Sequence, residues 1–143
     1  LFCFWRFSVM ASGLRVDTLK DASGNNSIGL SYVAEGSAKA WGMFVGASLT
    51  SGSDLTGVSD SFNLTSAVDN GTGDHTFTVT NGFSTTNYAL VTGRQQMVSG
   101  FGGHMDIKYN VSPTSTAVNM EYREHYSVQD NPRGSIAWYG DLA

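Results

Sequence analysis

The chain has 143 residues, 41% of them apolar and only 14% charged, with a formal net charge of −4. That length suffices for one domain that buries its core without disulfides or metals, and a single cysteine, Cys3, excludes an intrachain disulfide and a cysteine-based zinc site. The charged share is well below the roughly 25% of an average domain; Ser, Thr, Asn and Gly take its place, which suits strands and turns and argues against a coiled coil or charged helical bundle.

The first nine residues, LFCFWRFSV, are apolar and aromatic, and a different kind of sequence starts at Met10. The run is too short to span a bilayer. It also lacks the basic lead and longer apolar core of a signal peptide. Residues 1–9 read as a leader outside the native structure; the rival reading is a hydrophobic peg that inserts into a neighbouring subunit. Residues 10–36 read as an N-terminal arm for attachment, poor in large apolar residues. In LRVDTLK, Leu14, Val16 and Thr18 alternate with Arg15, Asp17 and Leu19, the pattern of a short strand. Leu14, Val16 and Leu19 are the arm's candidate attachment residues. DASGNNS follows as a turn, and SIGLSYVA puts Ile28, Leu30 and Tyr32 in phase.

Residues 37–143 read as the β domain. AKAWGMFVGASL predicts a buried strand, since Gly42 and Gly46 weaken a helix. TSGSDLTGVSD predicts a long loop or a small edge strand. SFNLTSAV places Phe62, Leu64 and Ser66 on one face. DNGTGD makes a turn centred on Asn70–Gly71, and HTFTVT sets Phe77 and Val79 against Thr76, Thr78 and Thr80; together they predict a β-hairpin. YALVTGRQQM predicts a strand buried from Tyr88 to Val91, and GFGGH a turn. HMDIKYNV points Met105, Ile107 and Tyr109 inward and His104, Asp106 and Lys108 outward. AVNMEYREHY sets Val118, Met120 and Tyr122 against Asn119, Glu121 and Arg123, and SIAWYGDLA puts Ile136 and Trp138 in phase. Short strands between turn clusters predict an all-β fold: an antiparallel β-sandwich or partly closed barrel with an extended N-terminal arm.

Chemistry is sparse in this pattern. No Gly-x-Ser-x-Gly elbow and no phosphate-cradling loop occurs, and Cys3 falls in the leader. The eight basic residues are scattered from Arg6 to Arg133, which argues against nucleic acid as a partner. His75, His104 and His125 lie on different predicted elements, where surface or rim positions are expected rather than a metal site. His104, beside Gly102–Gly103, is the first candidate should a threefold axis gather one histidine from each copy. Of the acids Glu35, Asp106, Glu121, Glu124 and Asp141, the pair Glu121 and Glu124 is three apart and points to opposite faces of a strand, so no glycosidase pair is favoured. N-x-Ser/Thr sequons at Asn25, Asn63, Asn70 and Asn110 are expected by chance in so Asn- and Thr-rich a chain. Trp41, Tyr122, Tyr126, Trp138 and Tyr139 suit a core or a subunit interface; Tyr126 and Tyr139 fall near strand ends. The expectation is therefore no catalytic residue, no cofactor and no metal, with His104, Tyr126 and Tyr139 as candidate surface or receptor contacts.

Several stretches, in order, resemble one family. SGLRVDTLKDASGNNS is similar to the N-terminal arms of tail-fibre-like and head-fibre-like virion proteins of tailed, especially marine, bacteriophages. GSAKAWGMFVGASL, then SDSFNLTSAVDNGTGDHTFTVTNGFSTTNYALV, resembles their recurring domain, and SIAWYGD their closing strand. The likeness covers over half of the chain. It departs after Trp41, where the family commonly has an Asn-x-Asn-Gly-Thr turn, and from Gly93 to Pro132. The resemblance implies a virion structural protein without enzymatic activity, a homotrimer attached through its arm to other virion proteins. Its β domain would decorate the particle or touch a host surface glycan or protein, with no membrane insertion. The alternatives are a carbohydrate-binding β-sandwich module and, less favoured, a small polysaccharide-degrading enzyme.

Overall fold

The structure is a computed structural model and describes residues 18–20, 22–23, 27–29, 33–34, 36–94, 103–124, 127–130 and 133–143. The chain divides into two compact units, Leu1–Ala34 and Glu35–Ala143. In the first, β1 (Thr18–Lys20) pairs antiparallel with β2 (Ser27–Gly29), with Leu19 opposite Ile28 and both exposed. The predicted attachment residues Leu14 and Val16, and the in-phase Leu30 and Tyr32, lie outside the described residues.

The second unit is an antiparallel β-sandwich. Sheet I has the order β4 (Val58–Phe62), β3 (Ala40–Phe44), β11 (Gly134–Tyr139), β7 (Ala89–Arg94). Sheet II is built on β9 (Ala117–Glu124). One edge of β9 pairs with β6 (Asp74–Val79) and the short β10 (Ser127–Val128); the other pairs with β8 (Gly103–Ile107). β5 (Leu64–Gly71) completes the sheet beside β6. Of the two architectures expected, the sandwich is the one formed, because each sheet keeps its own strand order and hydrogen-bonded ladder.

The core lies between the sheets. Phe44, Ile136 and Trp138 enter from sheet I; Phe77, Val118, Met120 and Tyr122 enter from sheet II. Their alternation is legible in the strands: β6 and β11 bury every second residue. Phe77 sits at the crossing, its ring 4.8 Å from that of Phe44 and 6.4 Å from that of Trp138. Gly42 faces inward, and a Cβ there would come within 2.6 Å of Leu64 Cδ1, so the Leu64 side chain would have to shift to admit it.

Two devices join the layers. Asn63, at φ 56°, turns the chain from sheet I into sheet II. Its carboxamide donates to the carbonyls of Lys39 and Asn81 and accepts from the Asn81 amide, locking a conformation that Asn tolerates better than most residues. On the β7–β8 side, Thr92 Oγ1 donates to the Met105 carbonyl, and Arg94 Nε donates to the Gly103 carbonyl while its guanidinium lies over the Tyr122 ring. Loop 46–57, which opens with a 3-10 turn at Gly46–Ser48, lines the free edge of β5, with the Asp69 amide donating to Thr50 and the Ala67 amide to Asp54.

Several local expectations are corrected. The hairpin forms, but its loop is Thr72–Gly73, with Gly71 paired to Asp74 and a bulge between Asp69 and Gly71. Gly73 takes φ 66° against the Gln129 carbonyl, a place closed to any Cβ. Phe62 and Leu64 are not on one face: the Asn63 corner leaves Phe62 outward on sheet I and sends Leu64 into the core. Val91 is exposed rather than buried because Leu90 and Thr92 hold the inward positions of β7. Met105 is buried, yet Ile107 is exposed and Tyr109 82% exposed, because β8 ends at Ile107 and the chain turns away through Asn110 at φ 61°.

Candidate functional site

The alternation that buries Ala40, Gly42 and Phe44 of β3, and Ile136 and Trp138 of β11, sends Trp41, Met43, Ala137 and Tyr139 to the outside of sheet I. Strand register then lines them up. Phe62, Trp41, Ala137 and Val91 form one row across all four strands. Asp60, Met43, Ser135 and Gly93 form the next row on one side, and Tyr139 pairs with Ala89 on the other. Phe62 and Met43 are each 54% exposed and Val91 58% exposed. Trp41, Ala137 and Tyr139 are half-buried, since cross-strand neighbours cover one another.

This face has an apolar centre free of charge. Asp60 sits on its β4 edge, accepting the Ser61 amide at 2.8 Å. Arg133 stands just before β11, beside a recess it shares with Met43, Arg94 and Ser135. Apolar residues thus run across all four strands on the outside of this sheet.

The residues singled out from sequence do not converge. His104 lies on the outside of sheet II, exposed, with Nε2 3.2 Å from Asp106 Oδ2. Tyr139 lies on the outside of sheet I, where a shallow recess of about 290 Å³ is lined by Tyr139, Ser84, Thr85, Asn87 and Asp141. The two therefore belong to opposite layers. Tyr126 and His125 lie outside the described residues. Leu19 is exposed on β1.

Two of the acids, Asp106 and Glu121, are cross-strand partners on β8 and β9. Glu121 is paired with Arg123 at 2.9 Å, and Asp106 is turned toward His104. A cleft of about 480 Å³ between β7 and β8 is lined by Leu90, Thr92, Met105, Asp106, Ile107 and Met120. Among the described residues no group of three or more His, Cys, Asp or Glu could hold a metal ion. None of the described helices is long and apolar enough to cross a membrane.

One expectation about the histidines is overturned. His75 is fully buried, not on the surface or rim, with its ring edge-on to Phe44 at 6.1 Å and to Phe77 at 6.5 Å. Neither ring nitrogen finds a hydrogen-bond partner. Asp69 Oδ1 is 3.9 Å from Nδ1, too far for a hydrogen bond, so it acts only as a charged neighbour. Burial pushes the His75 pKa down; Asp69, Asp130 and Asp74 oppose that push. The signal was present in sequence, since His75 is two residues before Phe77 and shares its inward phase.

One feature that sequence reasoning missed follows from the third dimension. The apolar row needs four strands that are far apart in the chain; the sequence alone places Val91 in a buried strand segment and Trp41 in a core or a subunit interface. Comparison with protein-family models, with curated proteins and with solved structures returns no match to this chain.

Proposed function

We propose that this chain is a self-associating structural subunit of a bacteriophage virion, a fibre or capsid-decoration protein without a catalytic role. In this reading three copies assemble through the β domain, the N-terminal arm attaches to other virion proteins, and the outer surface of the assembly decorates the particle and meets the host surface. The observation that carries it is the exposed apolar face of sheet I, where Phe62, Met43 and Val91 stand clear of the core. A domain that works alone gains nothing from leaving such a face in water, where every apolar Å² costs roughly 25 cal/mol relative to burial. The ordered likeness to fibre-type virion proteins supplies the setting.

The test is the mass of the purified chain by light scattering at micromolar concentration, together with the genes that flank its own. An oligomer beside capsid, portal or tail-tube genes supports the reading. A monomer at that concentration counts against it.

A second reading, a carbohydrate-binding module, is favoured by the recess at Tyr139. An aromatic ring flanked by Asn87, Asp141, Ser84 and Thr85 has the mixture of stacking surface and hydrogen-bonding groups that a sugar ring uses. It predicts a monomer whose glycan-array signal is lost in Tyr139→Ala.

A further inference from the structure

We propose that the free edge of β7, with the cleft beside it, takes an extended strand from another polypeptide, one that carries an apolar side chain at every second position. The inference stands apart from the self-association reading above. It concerns the seam between the layers and makes no use of the outer face of sheet I.

The seam is closed by a pattern that runs out. β7 and β8 are edge strands of different sheets, and they pass side by side in opposite directions. Arg94 Nε donates to the Gly103 carbonyl; one step of two residues along each strand, Thr92 Oγ1 donates to the Met105 carbonyl. The next step puts Leu90 beside Ile107. Leucine has no side-chain donor, so the bridging stops there. Here the seam opens into the cleft of about 480 Å³ lined by Leu90, Thr92, Met105, Asp106, Ile107 and Met120. Ile107 shares the inward phase of Met105, yet it is 44% exposed against 4% for Met105.

Backbone geometry says what shape fills such a place. The Trp138 carbonyl of β11 accepts the Lys39 amide, so the polar backbone groups of Trp138 point toward β3. Residues opposite each other in an antiparallel pair either face one another or both face away. Trp138 is opposite Leu90, so the Leu90 amide and carbonyl point away from the sheet, and those of Thr92 do the same. Among the described residues no hydrogen bond reaches these amides and carbonyls.

The edges of β4, β5 and β8 are guarded. Loop 46–57 lines β5, Thr92 and Arg94 cap the carbonyls of β8, and β4 carries Asp60 beside a register shift at Met43–Phe44. From Ala89 to Gly93, β7 has no charge, proline or bulge.

Free amides and carbonyls at a two-residue spacing are matched by an extended backbone. The alternate side chains of that backbone fall toward the cleft, where Leu90, Met105, Ile107 and Met120 favour an apolar group. Asp106, which faces His104, keeps its side chain 67% exposed on the cleft lining. A lysine flanking the apolar run therefore suits the segment.

The experiment uses the full chain and the capped peptide Lys-Thr-Val-Thr-Val-Thr-Val-Lys as probe, with amide hydrogen exchange read residue by residue by NMR. In the free chain the Leu90 and Thr92 amides are expected to exchange fast, and those of Val91 and Gly93, which face β11, slowly. With the peptide bound, exchange at Leu90 and Thr92 is expected to slow at least about tenfold. The peptide with proline in place of its middle valine cannot complete the ladder and is expected to give no protection. Ile107→Lys puts a charge into the cleft at an already exposed position; it is expected to abolish the effect while the chain melts as the parent does. Val91→Lys, on the outer face of sheet I, is expected to bind as the parent does. A peptide that leaves Leu90 and Thr92 fast overturns the inference. So do Leu90 and Thr92 amides that are slow in the free chain at every concentration, since the chain then covers this edge itself. Protection in the free chain that disappears on dilution makes the occupant a second copy and overturns it as well. Binding lost in Val91→Lys and kept in Ile107→Lys puts the peptide on the outer face of sheet I and overturns this edge.

Discussion

The two sheets share one core and differ on their outer faces. Outside sheet II the side chains satisfy one another. Asn70 and Asn119 both donate to Thr76 Oγ1, at 2.8 and 2.9 Å. Lys108 pairs with Asp74, Arg123 with Glu121, and Thr65 with Thr80. Outside sheet I the corresponding positions are Phe62, Trp41, Met43, Ala137 and Val91. Both sheets alternate, and in both the inward residues are mostly apolar, with Thr92 in sheet I and His75 in sheet II as exceptions. What separates them is the other half of the alternation. A polar outer face, hydrogen-bonded within itself, is complete in water; an apolar one is complete only when something covers it. The difference leaves sheet I with an apolar outer face and sheet II with a polar one.

The comparison can be broken at its common element. Phe77→Ala removes the ring on which Phe44 and Trp138 pack, so both sheets lose their shared support. The expected loss is about 3–5 kcal/mol in urea unfolding, with the exposed residues of both faces losing protection in hydrogen exchange together. Loss of protection in one sheet alone would mean the layers unfold separately.

His75 offers a sharper contrast, because it is a polar group on the apolar side of sheet II. Its folded pKa lies below the ordinary value, so the unfolded chain takes up a proton first as pH falls. Stability is therefore full above about pH 6.5 and declines as pH drops below that value, until the folded protein also protonates. His75→Leu is expected to raise stability by about 1–3 kcal/mol at pH 7, since no nitrogen is left unsatisfied, and to flatten the urea midpoint between pH 7.5 and 5.5. A variant that keeps the parent's slope would clear His75 of responsibility for it.

The smallest change tests the outer face of sheet II directly. Thr76→Val leaves the strand's shape and removes the oxygen that two asparagines share. The expected cost is about 0.5–1.5 kcal/mol, with no change in the state of association by ultracentrifugation. New self-association in this variant would show that any apolar outer face on this fold is sufficient, and that sheet I is not special.

Much of this fold was legible in the chain. The inward residues of β6, β9 and β11 follow from alternation alone, because each strand is half-buried and a period of two has one solution. The hairpin was legible as a turn signal, but its centre slid to Thr72–Gly73 because a bulge at Asp69 and Gly71 shifts the register. Phe62 and Leu64 could not be separated by period. A single positive φ at Asn63 reverses the meaning of two positions, and only its hydrogen bonds to Lys39 and Asn81 reveal it. Of the candidate site residues, Tyr139 lies on the outer face of sheet I, while His104 stands on the other sheet.

Composition and period determined that the chain forms half-buried antiparallel strands, because few charges and regular alternation leave no other way to hide its apolar residues. Which apolar residues are hidden was decided by the tertiary structure. Phe77 and Val91 are both apolar residues in strands; one is wrapped by a second sheet and the other faces water. Sequence gives each strand two faces. Only the stacking of one sheet on another decides which of the two is inside.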